Sequence, residues 1–152
     1  MEKKLTDIVT GIIHEGKQLS EDKKELLLTV KRVGRITGGG SLDFGGSEYS
    51  EGVIEWIGPR KKSENDDYGW WYLNNGSYWV EYNESIDLPE ETLLCFQPWE
   101  KAVKAGIVHP SGFMTAPIET PATIVTVGDY TVSIKENARI SRVFFPGQGQ
   151  DS

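Results

Sequence analysis

Three short stretches carry the side chains best suited to chemistry. His109 lies in the loop HPSGFMTAP (109–117). Its imidazole titrates near neutrality, so it can act as a general base. The plainer reading is a loop or interface residue. Lys101 and Lys104 in EKAVKAG (100–106), with Arg142 in the last β-type run, can form a phosphate patch. Solvated charges or ion pairs fit the same three residues. Trp70, Trp71, Tyr72, Tyr78 and Trp79 offer faces for stacking a base. Their alternation fits one core-facing and one interface-facing row better. Asp43 in GGGSLDFGG (38–46) reads as a turn residue capping backbone amides.

A scaffold must hold these groups. Leu5, Ile8, Val9, Ile12 and Ile13 share one stripe at helical spacing, which predicts a helix over 5–17. Thr6 or Asp7 can cap its start and Gly16 can close it. From Glu25 the period becomes strand-like, through 26–36, 53–58, 91–98 and three later segments, ATIVTV, YTVSI and RISRVFF. WWYL (70–73) and GSYWVEY (76–82) flank Asn74-Asn75-Gly76, which predicts a hairpin. Trp71 and Leu73 then point away from Trp70 and Tyr72, and Tyr78, Val80 and Tyr82 away from Trp79 and Glu81. The polar step Asn83-Glu84 and Leu88-Pro89 end that strand and send the chain to the next sheet. EKAVKAG predicts a helical turn closed by Gly106. The charged stretch 59–69 reads as an exposed loop. Many short strands with Gly and Pro turns make this a mainly β chain, a sandwich or barrel.

The chain has 152 residues, a net charge of −7 and a pI of about 4.9. That is one domain with a proper core. Its expected parts are an N-terminal helix and linker (1–24), a β-barrel (25–146) and a flexible tail (147–152). The acidic balance argues against nonspecific binding to nucleic acid or an anionic membrane. The single cysteine, Cys95, cannot form an intrachain disulfide and reads as a buried core thiol. No apolar run reaches the ~18 residues of a membrane span. The polar N-terminus is unlike a signal peptide, so the expected location is cytoplasmic.

Four blocks in order resemble the dUTPase and dCTP deaminase superfamily, its archaeal-type members above all. The opening LTDIVTGIIHEGK is similar to the deaminase-type start. LLLTVKRVGRITGGGSLDF is similar to the family's "DLTV" strand and following Gly-x-Leu-Asp-Phe turn. LNNGSYWVEYNESIDLPEE resembles its Asn-Glu…Leu-Pro block, and NARISRVFF its "ARIAQLVF" strand. The resemblance implies a distorted jelly-roll β-barrel of the β-clip type with one short N-terminal helix. It implies a homotrimer with sites between subunits. A triphosphate is held by an "R/K-S-S-x-x-R/K-x-G" segment, and a later "D-x-G-Y/F-x-G" loop holds the deoxynucleoside. Mg²⁺ bridges the phosphates without a full protein cage.

The chemical positions depart from that pattern. Counting back from Gly106, the first basic residue falls on Trp99, the two serines on Glu100 and Lys101, and the second basic residue on Lys104. Glu100 stands where a triphosphate needs donors. Ser111-Gly112-Phe113 matches the nucleoside loop, but Pro110 or His109 replaces its acid and Thr115 its last glycine. Arg142 replaces the usual Gln. Glu119 can stand for the deaminase general-base glutamate, one residue short in spacing and after the interrupting Pro117. Gly147-Gln148-Gly149 resembles the glycine-rich arm that closes over dUTPase sites, or is a frayed terminus. The expected function is therefore that of a dUTPase-like protein that binds or hydrolyses a deoxynucleoside triphosphate with altered residues. The alternative is a noncatalytic trimer of that fold used for nucleotide sensing, protein interaction or assembly.

Overall fold

The computed structural model of the protein describes residues 3–147; the second and third residues of Gly147-Gln148-Gly149 lie outside this range. In chain order the elements are α1 (Leu5–Ile8), β1 (Val9–Thr10), α2 (Glu15–Gln18), β2 (Leu26–Gly38), β3 (Val53–Ile57), β4 (Trp70–Leu73), β5 (Gly76–Tyr82), β6 (Ser85–Ile86), β7 (Leu94–Pro98), α3 (Glu100–Ala105), β8 (Ile107–Val108), β9 (Gly112–Met114), β10 (Ala122–Val127), β11 (Val132–Lys135) and β12 (Arg139–Phe144). The main sheet runs β8-β10-β5-β2-β12-β7-β9, with β3 added to β2. Every pairing is antiparallel. The 13-residue β2 is the spine. Its first part pairs with β12, and its second part with β5 and β3. Two small ribbons, β1–β6 and β4–β11, complete a mainly β, jelly-roll barrel with few, short helices.

Burial follows the period-2 pattern. In β5, Tyr78, Val80 and Tyr82 are buried, and in β4 so are Trp71 and Leu73. They meet Leu26, Leu28 and Val30 of β2 and Val125 and Val127 of β10 in one core. The predicted hairpin does not form. β4 pairs with β11, while β5 pairs with β2 and β10. Asn74-Asn75-Gly76 therefore carries the chain between two sheets. A turn signal specifies a local bend, and the partner on each side is decided by which edge is open.

The stripe over 5–17 also divides. Leu5, Ile8 and Val9 are buried, but Ile12 is half-buried and Ile13 is 54% exposed, so only the first part of the stripe faces the core. The helix stops at Ile8, however, and Val9-Thr10 pairs with Ile86-Ser85. Gly11 follows at φ +82, where a Cβ would stand 3.0 Å from the Asn83 carbonyl oxygen. Lys4 is the N-cap of α1 and makes no side-chain cap bond. Gly16 lies inside α2 rather than beyond a helix end. Val9 and Thr10, both β-branched, gain more from the strand edge at β6 than from extending a helix.

The Asn83-Glu84 step closes the barrel. Glu84 is fully buried, at 0% exposure. Its carboxylate accepts from the Thr29 backbone N–H (2.9 Å), the Thr29 hydroxyl (2.5 Å) and the Gln18 amide (2.8 Å). Gln18 also accepts from the backbone N–H groups of Ile13 and His14. Asn83 donates to the Thr29 hydroxyl oxygen and to Asn137. One acid thus ties the N-terminal segment, β2 and the end of β5 together. Burial raises its carboxyl above the ordinary range, against the pull of those donors.

Candidate functional site

Helix α3 forms because Glu100, Lys101, Ala102, Lys104 and Ala105 are strong helix formers. Gly106 ends it at φ +110, its N–H reaching the carbonyls of Ala102 and Val103. A Cβ at Gly106 would come within 2.6 Å of the Tyr130 ring. Ala102 is the buried anchor. Glu100 and Lys104 pair at 3.0 Å across one turn, both well exposed. Lys104 holds the Glu100 carboxyl below its usual range.

Beside α3 a cleft of about 470 Å³ is lined by Glu25, Gln97, Pro98, Trp99, Glu100 and Arg142. Arg142 is opposite Gln97 in the β12–β7 pairing. Its guanidinium donates to Gln97 (2.6 Å) and to Glu25 (3.1 Å), and lies 4.5 Å from the centre of the Phe144 ring. Of the three cations assigned to phosphate, Arg142 lines this cleft, while Lys101 lines another groove and Lys104 pairs with Glu100. Two carboxylates, Glu25 and Glu100, share the cleft with Arg142. Glu25 and Gln97 carry no motif, and only the strand register reveals them.

The register also brings Phe113 to this face. β9 is an edge strand in which Phe113 faces Cys95 and Gly112 faces Phe96. Cys95 faces Phe144 on its other side. Directly opposed residues project to the same face, so Phe113, Phe144 and Arg142 share one. Two strand spacings and two residues along put Phe113 and Arg142 roughly 12 Å apart. Phe113 is 64% exposed, and Ser111 and Gly112 are exposed as well. Glu119 is exposed beyond the bridge between Ile86 and Ile118, and its carbonyl accepts from the Ser85 hydroxyl at 2.5 Å.

His109 lies on the opposite side of the sheet. It is 4% exposed and stacks on Phe96 with ring centres 4.9 Å apart. Nδ1 is 2.9 Å from the Pro110 carbonyl and Nε2 2.8 Å from the Ser141 hydroxyl, which also meets the Tyr82 hydroxyl. A carbonyl only accepts, so Nδ1 carries the proton and Nε2 accepts from Ser141. Burial lowers the imidazole's pKa, and burial raises Tyr82 out of reach of titration. A neutral, fully hydrogen-bonded imidazole in the core is a structural group. With its folded pKa depressed, its stabilising contribution is full above the unfolded value of about 6.5 and is lost as pH falls through the folded value. Melting scans between pH 5 and 7.5 should show the protein losing stability on acidification more steeply than His109→Phe. Parallel slopes would rule this out.

Cys95 is buried on the Phe113 face rather than in the core cluster, and desolvation raises its thiol, which suits an inert group. Asp43 accepts from the N–H groups of Gly46 and Glu48, both at 3.0 Å, as a turn cap. Among the described residues no group of three or more His, Cys, Asp or Glu can hold a metal ion. Glu25 and Glu100 each already face a cation, so they do not make a cage for Mg²⁺. No described helix is long and apolar enough to cross a membrane.

The fold is a mainly β jelly roll with a cleft between its last strand and a short helix, and comparison with known proteins supports that fold. The chain is 26% identical over 122 residues to the probable deoxyuridine 5'-triphosphate nucleotidohydrolases of Methanosarcina mazei and Methanosarcina acetivorans, covering 79% of this chain and 68% of each relative. The protein of the same description from Methanosarcina barkeri matches at the same identity and coverage. The crystal structure of 2'-deoxycytidine 5'-triphosphate deaminase from Agrobacterium tumefaciens superposes with a TM-score of 0.62 at 14% identity, over 92% of this chain. The chain spans 42% of that deaminase's length. No family model matches the chain. Sequence and fold together relate it to the dUTPase and dCTP deaminase superfamily.

Proposed function

We propose that this protein binds a deoxynucleoside triphosphate of the dUTP type on a dUTPase-like barrel and does not hydrolyse it by the family's usual residues. The phosphates approach Arg142 beside α3, with Lys104 at the flank, and the nucleoside lies toward Ser111, Gly112 and Phe113. Mg²⁺, where present, enters with the phosphates. The chain assembles as a homotrimer in the cytoplasm, and a neighbouring subunit completes the cleft. The activity by which the Methanosarcina relatives are described supports the nucleotide, and the shared face of Arg142 and Phe113 supports its position. The observation that carries the loss of hydrolysis is the makeup of the cleft. Two carboxylates crowd its one lining cation, and His109 is closed inside the core.

Calorimetric titration with dUTP tests the site. A hydrogen bond to a charged group contributes about 1.5–3 kcal/mol. Arg142→Ala should therefore weaken binding by roughly tenfold or more. Glu100→Ser should tighten it by removing a carboxylate next to the phosphates, and Lys61→Ala in the charged loop should change nothing. Equal affinity in the unmodified protein, Arg142→Ala and Glu100→Ser would dismiss the cleft. Sedimentation showing monomer alone at micromolar concentration would dismiss the trimer.

A further inference from the structure

Helix α3 separates two grooves of different character. The cleft on one side holds Arg142 among carboxylates. On the other side a groove of about 290 Å³ lies between α3 and β11, lined by Trp70, Trp99, Lys101, Lys135 and Arg139, with small and aliphatic side chains between them. No Asp or Glu lines it.

The three cations lie over indole rings, an arrangement that five other cations share with aromatic rings, Lys62 at 4.2 Å from the Trp70 ring centre among them. Lys101 Nζ lies 5.4 Å and the Arg139 guanidinium carbon 4.8 Å from the Trp99 ring centre. Lys135 Nζ lies 5.6 Å from the Trp70 ring centre. The ion pairs among the described residues are Arg32–Glu81, Lys104–Glu100 and Arg142–Glu25, so none of the three groove cations has a carboxylate partner. Arg139 spends one N–H on the Lys17 carbonyl at 2.8 Å. An indole face positions a cation without using its N–H donors, whereas a carboxylate consumes them. Three such cations in one groove stand out in a chain of net charge −7. Their donors remain available, and the lining between them is apolar.

We propose that the groove between α3 and β11 binds a small aromatic anion, its planar body against the apolar lining and its phosphate or carboxylate group on Lys101, Lys135 and Arg139. Pockets for small ligands have this makeup, mostly apolar with a few convergent polar groups. The groove's volume suits a compact molecule of one or two rings. This site does not depend on the Arg142 cleft, and dUTP can fail there without touching this proposal.

Naphthyl phosphate is the probe. Proton–nitrogen NMR, with indole signals assigned by single Trp→Phe variants, should show Trp70 and Trp99 shifting on titration while Trp56 and Trp79 stay fixed. Calorimetry should give at least tenfold tighter binding for naphthyl phosphate than for naphthol or inorganic phosphate. The double variant Lys101→Ala/Lys135→Ala should weaken it by about tenfold or more, the scale for lost bonds to a charged group. Both lysines are exposed, so an unchanged melting temperature is expected for the variant. Arg142→Ala should leave this binding unchanged. Equal affinity for naphthol, an unaffected double variant, or shifts centred on Trp79 in the apolar groove beneath the β2–β3 hairpin would overturn the assignment.

Discussion

Glu84→Ala is expected to unfold this protein more readily than any surface substitution, with a loss of about 3 kcal/mol. The substitution removes one acceptor and strands three donors, the Thr29 N–H, the Thr29 hydroxyl and the Gln18 amide. Each unsatisfied buried group costs about 1–3 kcal/mol. For a chain of this size that corresponds to a drop of roughly 6–12 °C in melting temperature. Glu81→Ala is the control, because it removes only the Arg32 pair on the outer face, worth at most about 1 kcal/mol. Glu84→Gln keeps the shape and part of the acceptance, and should lose less. Its pH response carries a sign of its own. The folded carboxyl is raised, so its contribution is most favourable at low pH and is lost as pH rises through the folded pKa. Acidification toward pH 5 should therefore widen the deficit of Glu84→Gln relative to the native acid. A melting temperature for Glu84→Ala within 2 °C or so of the native one would show that the three donors find other partners.

Incubated with dUTP and Mg²⁺, the protein is expected to release pyrophosphate at under ~0.1 s⁻¹, against a typical enzymatic turnover near 10 s⁻¹. Loss of a general base alone costs roughly 10²–10⁴-fold. The imidazole of His109, a candidate for that work, has both ring nitrogens engaged and is 4% exposed. Glu119 is exposed, but the strand register does not set it beside Arg142 and Phe113. Glu25 and Glu100 in the Arg142 cleft would repel the same phosphates that a catalyst must hold. Turnover at an ordinary enzymatic rate would disprove this reading and direct attention to Glu119. Absence of turnover with clear binding in the cleft is the pattern expected.

Much of the barrel was legible because its signals are local. Alternation in 70–82 set Trp71 and Leu73 apart from Trp70 and Tyr72, and Tyr78, Val80 and Tyr82 apart from Trp79 and Glu81; the structure buries the first row of each. Gly106 marked the end of α3, since a left-handed closing residue favours glycine. Asp43 marked a turn. The candidate site was legible only in part. The ordered blocks pointed to α3 and Arg142, but no pattern in the chain announced Glu25 or Gln97 as neighbours of Arg142.

Composition and periodicity by themselves determined that this chain is acidic and mainly β, with a short glycine-closed helix near residue 100. Those features depend on side-chain size, propensity and spacing within a few residues. Tertiary structure alone decided which edges pair. It split the 5–17 stripe, because an open edge at β6 outcompeted a helix of roughly three to four turns. It sent β4 to β11 rather than to β5. It buried His109 against Phe96 and Ser141, turning a candidate base into part of the core. It also set Lys101 and Arg142 in separate grooves on either side of one helix. Contacts between residues far apart in the chain leave no periodic trace, so they become visible only when the strands are in register.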